Sequence, residues 1–161
     1  MKLKPILAAG LLMAGLTGTA AIGGGHADPA IVAAVKARQS AMQLYSFNLG
    51  LLGGMAKGQI EYDAAAASAA AANLAKLTTL DQSRMWPPGS DTEALGAEMT
   101  AALPKIWTAE SKAGEIGGQL KEAAAAMEGA AGNGLDALRG AIGNVGKACG
   151  ACHDGYRQPK N

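Results

Sequence analysis

Two cysteines and a histidine near the C-terminus, Cys149-Gly150-Ala151-Cys152-His153, are the residues best suited to chemistry in this chain, and they include both of its cysteines. The spacing C-x-x-C-H suits covalent attachment of one haem c. On a helix the two thiols lie about one turn apart and can add to the two vinyl groups of the macrocycle. The imidazole that follows them then ligates the iron from one face. Other chemistries explain less. A structural zinc wants four ligands, and two Cys and one His do not supply them. A thioredoxin-type pair would sit beside a βαβ pattern, and no strand-like alternation occurs here. A plain Cys149–Cys152 disulfide stays open as an alternative and leaves His153 unexplained.

The start of the chain bears on the redox setting of those thiols. Lys2 and Lys4 precede an apolar run from Ile6 to about Ala21, and Gly23-Gly24-Gly25-His26-Ala27 leads to Asp28-Pro29. A basic start, an apolar middle and a small-residue exit describe a secretory signal. We place it at residues 1–27, with the cut after Ala27, and the functional domain at 28–161. The alternative, a permanent anchor, would need about 20 apolar residues, and this run is shorter and rich in glycine. Export points to the periplasm, which is oxidising, so two cysteines there need a purpose. Removing the leader takes away two lysines and no acid, which moves the formal charge from +1 to −1, and it leaves His153 as the only histidine. A near-neutral chain without a basic block argues against nucleic acid as a partner. No later segment is long and apolar enough for an integral membrane protein.

Four helices must position the motif. Alanine, the best helix former, dominates, and apolar residues recur at spacings of three and four. The first helix is expected from Asp28, a cap followed by Pro29, to about Met55, with Val35, Met42, Leu49 and Ala56 in its core stripe beside Ile31, Tyr45 and Leu52. The second runs from Asp63 to about Leu80, with Ala67, Ala70, Leu74 and Leu77 on one side. Residues 81–103 form a long irregular segment around Trp86-Pro87-Pro88, and such loops are often functional. The third helix is expected from Pro104 to about Glu128, and the fourth from Leu135 to about Tyr156, its stripe being Leu138, Ile142, Val145, Cys149, Cys152 and Tyr156. The fold class is all-α, an antiparallel four-helix bundle with haem c near the C-terminal helix. With one phenylalanine in the chain, the side-chain core is thin, and a flat apolar cofactor would fill what the small residues leave. Gly140, Gly143, Gly146 and Gly150 each cost roughly 1 kcal/mol against alanine, and some of them are expected to let the macrocycle or a neighbouring helix approach.

Three blocks in this order and spacing, Arg38-Gln39-Ser40-Ala41-Met42, Pro104-Lys105-Ile106-Trp107 and Cys149 to Arg157, resemble the cytochrome c′ family, the class II c-type cytochromes. The resemblance covers nearly all of residues 28–161. It implies that Arg38 and Gln39 lie near the haem propionates and that Arg157 lies near the proximal imidazole. For both arginines, plain solvated helix surface is the alternative. Where relatives often carry a polar residue before the Pro-x-Ile-Trp block, this chain has Ala101-Ala102-Leu103, and Thr100 is the candidate for that haem-edge contact. Met42 matches the position that shields the vacant iron face in high-spin members and supplies an iron-binding methionine in low-spin c-556 and c-554 types.

The main expectation is therefore a periplasmic monohaem electron carrier with His153 and Met42 on iron, since Met/His ligation raises the potential. The alternative is a five-coordinate haem that binds NO or CO. A third class, a disulfide-bearing helical interaction protein without haem, stays open. Redox proteins of the periplasm are the expected partners. The family often forms dimers through its first two helices, and the alanine-rich second helix is compatible with a homodimer. No enzyme is expected, because the one histidine is engaged and no paired carboxylates form a recognisable site.

Overall fold

Asp28 and Asp63 start the first two helices as their side chains dictate. The computed structural model describes residues 27–159. In it, the Asp28 carboxylate accepts from Ala30 N at 2.8 Å at the head of α1, Pro29–Ala56. The Asp63 carboxylate accepts from Ala66 N at 2.7 Å at the head of α2, Ala64–Thr79. Each bond satisfies an amide that a first helical turn leaves without a partner. A short α3, Thr92–Leu95, and two 3-10 turns, Ser83–Met85 and Pro104–Trp107, lie in the segment before α4, Ala113–Ala130, and α5, Leu135–Tyr156. An isolated bridge between Ala102 and Arg157 is the sole β-pairing among the described residues. The expected leader, His26 included, lies outside the described residues except for Ala27.

The four long helices form a four-helix bundle, with α1 and α4 each packed against both α2 and α5. Leu52, Met55, Leu74, Met127 and Leu138 are fully enclosed at its core, and Ala67, Ala70 and Ala71 bring α2 close to its neighbours. The α1–α2 reversal depends on two glycines. Gly58 adopts φ 71°, which L side chains disfavour. At Gly54, a Cβ would fall 2.6 Å from the Ile60 side chain.

Two expectations need correction. The third long helix does not begin at Pro104. That residue opens only a 3-10 turn, Thr108 is extended, and α4 starts at Ala113. The intervening residues are tied sideways: Trp107 Nε1 donates to Trp86 O at 3.0 Å, and Leu103 N donates to Tyr156 O at 2.9 Å. Those partners hold the turn across the bundle end, out of line with α4. The core stripe of α1 is also different. Its buried positions are Val35, Arg38, Ala41, Tyr45, Asn48, Leu52 and Met55, whereas Met42 is 39% exposed and Leu49 and Ala56 only partly buried. Hydropathy places Arg38 and Asn48 outside, yet both are buried because both have partners. Asn48 Nδ2 donates to Leu44 O at 2.8 Å, and its Oδ1 accepts from Asn73 Nδ2 at 3.1 Å.

Candidate haem site

The stripe of α5 changes character along its length. Leu138 and Val145 are core residues, while Cys149, Cys152 and His153, further along the same helix, line a cavity of about 940 Å³. That volume is at the upper end of the roughly 300–1,000 Å³ typical of cofactor pockets. Met42, Tyr45 and Leu49 of α1 form another wall. Trp86, Ile106 and Trp107 come from the long connection, and Gly114 and Gly117 from the first turns of α4. Gly146 and Gly150 also line the cavity, and a Cβ at either meets nothing within 4 Å. Gly140 and Gly143 are equally unobstructed, so no neighbouring helix presses on them. The close-approach role expected of some of the α5 glycines fits Gly146 and Gly150, the two at the cavity.

Burial governs the protonation states of these groups. Both cysteines are free. Burial pushes the Cys149 thiol up, helped by the neighbouring Cys152, and burial alone pushes Cys152 up. Both therefore stay as neutral thiols. Burial, then the positive charge of Arg157, lowers the His153 pKa against an opposing effect of Asp154. The imidazole is thus held neutral, the form that binds a metal. The donor set and the apolar, ring-lined cavity fit a haem c, with Cys149 and Cys152 as the attachment points and His153 on iron.

The connection that closes the cavity is held by Arg38, which is 5% exposed. One terminal nitrogen, Nη1, donates to Met85 O and Ser90 Oγ, both at 3.0 Å. The other, Nη2, donates to Ser90 O at 2.9 Å and Thr100 Oγ1 at 2.8 Å. The guanidinium also lies 4.5 Å from the centroid of the Trp86 ring, and Trp86 in turn packs on Trp107 at 6.4 Å. Burial lowers the Arg38 pKa, but a guanidinium remains charged. Among the described residues no carboxylate pairs with it. All four N–H groups of its two terminal nitrogens are taken by these neutral acceptors.

The structure brings four of the candidate residues into the cavity lining: Met42, Cys149, Cys152 and His153. Arg38 and Thr100 meet each other outside that lining. Gln39 Nε2 reaches Met99 O at 3.0 Å in the same connection. Solvated surface does not describe Arg38. Arg157 is half-buried one turn beyond His153, its Nε buried with no hydrogen-bond partner and its backbone bridged to Ala102. Sequence reasoning missed Gln82, Ser90 and the ring of Trp86, because nothing in an irregular Pro-rich stretch marks which side chains turn inward. Tyr45 was counted as core, and its hydroxyl carried no signal.

Comparison with known proteins gives a consistent result. The sequence model of the family described as Cytochrome C′ matches residues 33–157. The chain is 42% identical over 125 residues to cytochrome c-554 of Cereibacter sphaeroides, covering 77% of this chain and 92% of that one. It is 42% identical over 123 residues to a cytochrome c′ of the same species, covering 76% and 81%. Among solved structures it is similar to a cytochrome c′ from Rhodobacter sphaeroides, with TM-score 0.77, 39% identity and coverage of 83% and 100%. Two variants of the Alcaligenes xylosoxidans cytochrome c′, each 34% identical, are also similar. One is ferrous with bound NO, at TM-score 0.65 with 79% and 94% covered. The other has bound carbon monoxide, at TM-score 0.66 with 78% and 94% covered.

Proposed function

This chain belongs to the cytochrome c′ family of monohaem c-type cytochromes, and on that premise we propose that it is a periplasmic protein whose haem iron, held by His153 alone, takes NO or CO on the face that Met42 covers. The observation that carries the reading is the pair of similar structures with NO and CO bound. The residues that line the cavity here suit such a role. Cys149 and Cys152 would hold the macrocycle, and neutral His153 would ligate its iron from α5. Met42, on α1, would cover the bound group as an unbranched, adaptable side chain. Trp86 and Trp107 exclude water from the edge. The haem supplies the iron that holds the gas. The role assigned is binding rather than turnover. The leader of residues 1–27 supports the periplasm, and no helix among the described residues is long and apolar enough to cross a membrane.

A homodimer belongs to the same proposal. Leu44 and Phe47 are 51% and 77% exposed and lie three residues apart on α1, so they share a face. Large apolar side chains exposed together suit burial against a second copy.

A second reading, the electron carrier with Met42 as the other axial ligand, is favoured by one observation: Met42 and His153 line the same cavity from different helices. The relative named cytochrome c-554 is compatible with it. Optical spectra of the reduced protein decide. The gas-binding reading expects a high-spin spectrum that shifts on adding CO, and a Met42→Ala variant of unchanged spin state. A low-spin spectrum indifferent to CO, turned high-spin by Met42→Ala, would overturn it in favour of His/Met ligation. A mass of the exported chain without the added macrocycle would remove both.

A further inference from the structure

Resting on the gas-binding reading, we propose that Tyr45 is the hydrogen-bond donor to the diatomic ligand, its hydroxyl aimed by Gln82. Tyr45 is 9% exposed and lies three residues after Met42 on α1, and both side chains line the cavity. Its hydroxyl oxygen is 3.2 Å from Gln82 Nε2, and the same nitrogen is 3.1 Å from Leu77 O. The second contact settles the direction of the first. A carbonyl oxygen accepts only, so the Gln82 group facing Leu77 O must be its NH₂. An NH₂ has only protons to offer, so the Tyr45 oxygen must be the acceptor of the other one.

The phenolic proton is therefore left over. Among the described residues the Tyr45 hydroxyl donates to nothing, although it is nearly enclosed. A buried donor without an acceptor is unfavourable, and such a group in a ligand cavity fixes the orientation of what binds there. The lining also carries the polar side chains of Ser46, Thr78, Ser111 and His153, and the Tyr45 hydroxyl makes no hydrogen bond to any of them, while it lies within electrostatic range of Cys149. Burial keeps the phenol protonated by raising its pKa, against the Gln82 hydrogen bond. Hydrogen-bond donors in a haem pocket bear on which gases bind there. Tyr156 Oη also only accepts, from Lys112 N at 2.7 Å, but it lies outside the cavity lining, and Tyr62 is fully paired. Tyr62 Oη donates to Ala131 O at 2.8 Å and accepts from Gly134 N at 2.9 Å, at the opposite end of α5.

The test is the infrared C–O stretch of the ferrous CO complex of the holoprotein, with CO dissociation rates beside it. A donor at the ligand oxygen draws electron density into the C–O antibonding orbital and lowers the stretch. Tyr45→Phe should raise the stretch and speed dissociation by about 2- to 12-fold, the range of one neutral hydrogen bond. Gln82→Leu leaves the hydroxyl present but unaimed and should give a broadened band between those of wild type and Tyr45→Phe. Tyr62→Phe should change neither quantity. If wild type binds CO and Tyr45→Phe leaves stretch and rate unaltered, the donor role is refuted while gas binding stands. If wild type takes up no CO, the gas-binding reading fails and the donor role falls with it.

Discussion

Replacing Arg38 by methionine removes the side chain that makes the most hydrogen bonds from α1 to the long connection over the cavity. The guanidinium donates to four acceptors between Met85 and Thr100. Two of those acceptors keep other partners after the change. Thr100 Oγ1 still accepts from Ala102 N at 3.2 Å, and Ser90 Oγ still donates to Pro87 O at 2.7 Å. Met85 O and Ser90 O are left without a donor, at about 1–3 kcal/mol each if they stay buried. Contact with the Trp86 face is lost as well, at about 1–2 kcal/mol for a desolvated cation. Relief of the cation's own desolvation offsets part of this. The expected net loss is about 3–5 kcal/mol, a large share of the roughly 5–15 kcal/mol that stabilises a domain. Thermal unfolding of the holoprotein, followed by circular dichroism, should fall by roughly 10–20 °C for a domain of this size. Trp86 and Trp107 are the only tryptophans, so their emission, quenched by a nearby haem, should rise as the segment loosens. Arg38→Lys retains the charge without the planar fork and should lose less. A melting point within about 2 °C of wild type for Arg38→Met, well under 1 kcal/mol, together with unchanged emission, would refute the claim that this residue holds the connection in place.

Gly146→Leu should lower the yield of haem-loaded protein while raising intrinsic helix propensity by roughly 1 kcal/mol, because its side chain enters space that lines the cavity; unchanged loading counted by haem absorbance per chain would contradict this. Phe47→Glu should convert a dimer to a monomer in analytical ultracentrifugation with the haem spectrum intact, since Phe47 lies outside the cavity lining. The Asp81 carboxylate accepts from Ser83 N at 2.9 Å, and the Ser83 hydrogen bonds lower its pKa. The unfolded chain then binds this proton more readily than the folded one, so the stabilisation is complete above the ordinary carboxylate pKa of about 4 and fades as pH falls through the lowered value. Asp81→Asn should flatten that part of the stability profile in acid, measured by urea unfolding across the range.

What the sequence revealed and what it hid divides along physical lines. Helix caps at Asp28 and Asp63, the Pro-Pro break and the stripe of α5 were legible because each depends on local chemistry or on a period of three and four. The motif from Cys149 to His153 was legible because the haem attachment proposed for it requires contiguous residues. The inward side of α1 was not. Hydropathy ranks Arg38 and Asn48 as surface, and only the distant partners Ser90, Thr100 and Asn73 make their burial tolerable. Met42 stood in the core stripe by periodicity and at the iron-facing position by resemblance; it is 39% exposed and lines the cavity. The start of α4 was obscured because Pro104-Lys105-Ile106-Trp107 begins like a helix and is diverted by Trp86 O and Tyr156 O.

One feature of α5 explains why the site and the fold are hard to separate. Leu138, Ile142, Val145, Cys149 and Cys152 form a single stripe at steps of three and four. Its first half packs into the core, and its second half lines the cavity. No glycine turn or proline divides the halves, so α5 carries the position of the core directly to the attachment residues. The same helix ends in a clamp, with Leu103 N on Tyr156 O and Gln158 N on Ala101 O at 2.8 Å. The connection over the cavity is thus tied at Arg38 on α1 and again at the end of α5. A haem held between those ties by Cys149, Cys152 and His153, as proposed, would favour only the arrangement in which both ties are made. Its binding free energy is therefore also free energy of folding for that end of the bundle. Loss of haem and loosening of residues 81–112 should follow from the same substitutions, whether these are made on α1, in the connection or at the C-terminal clamp.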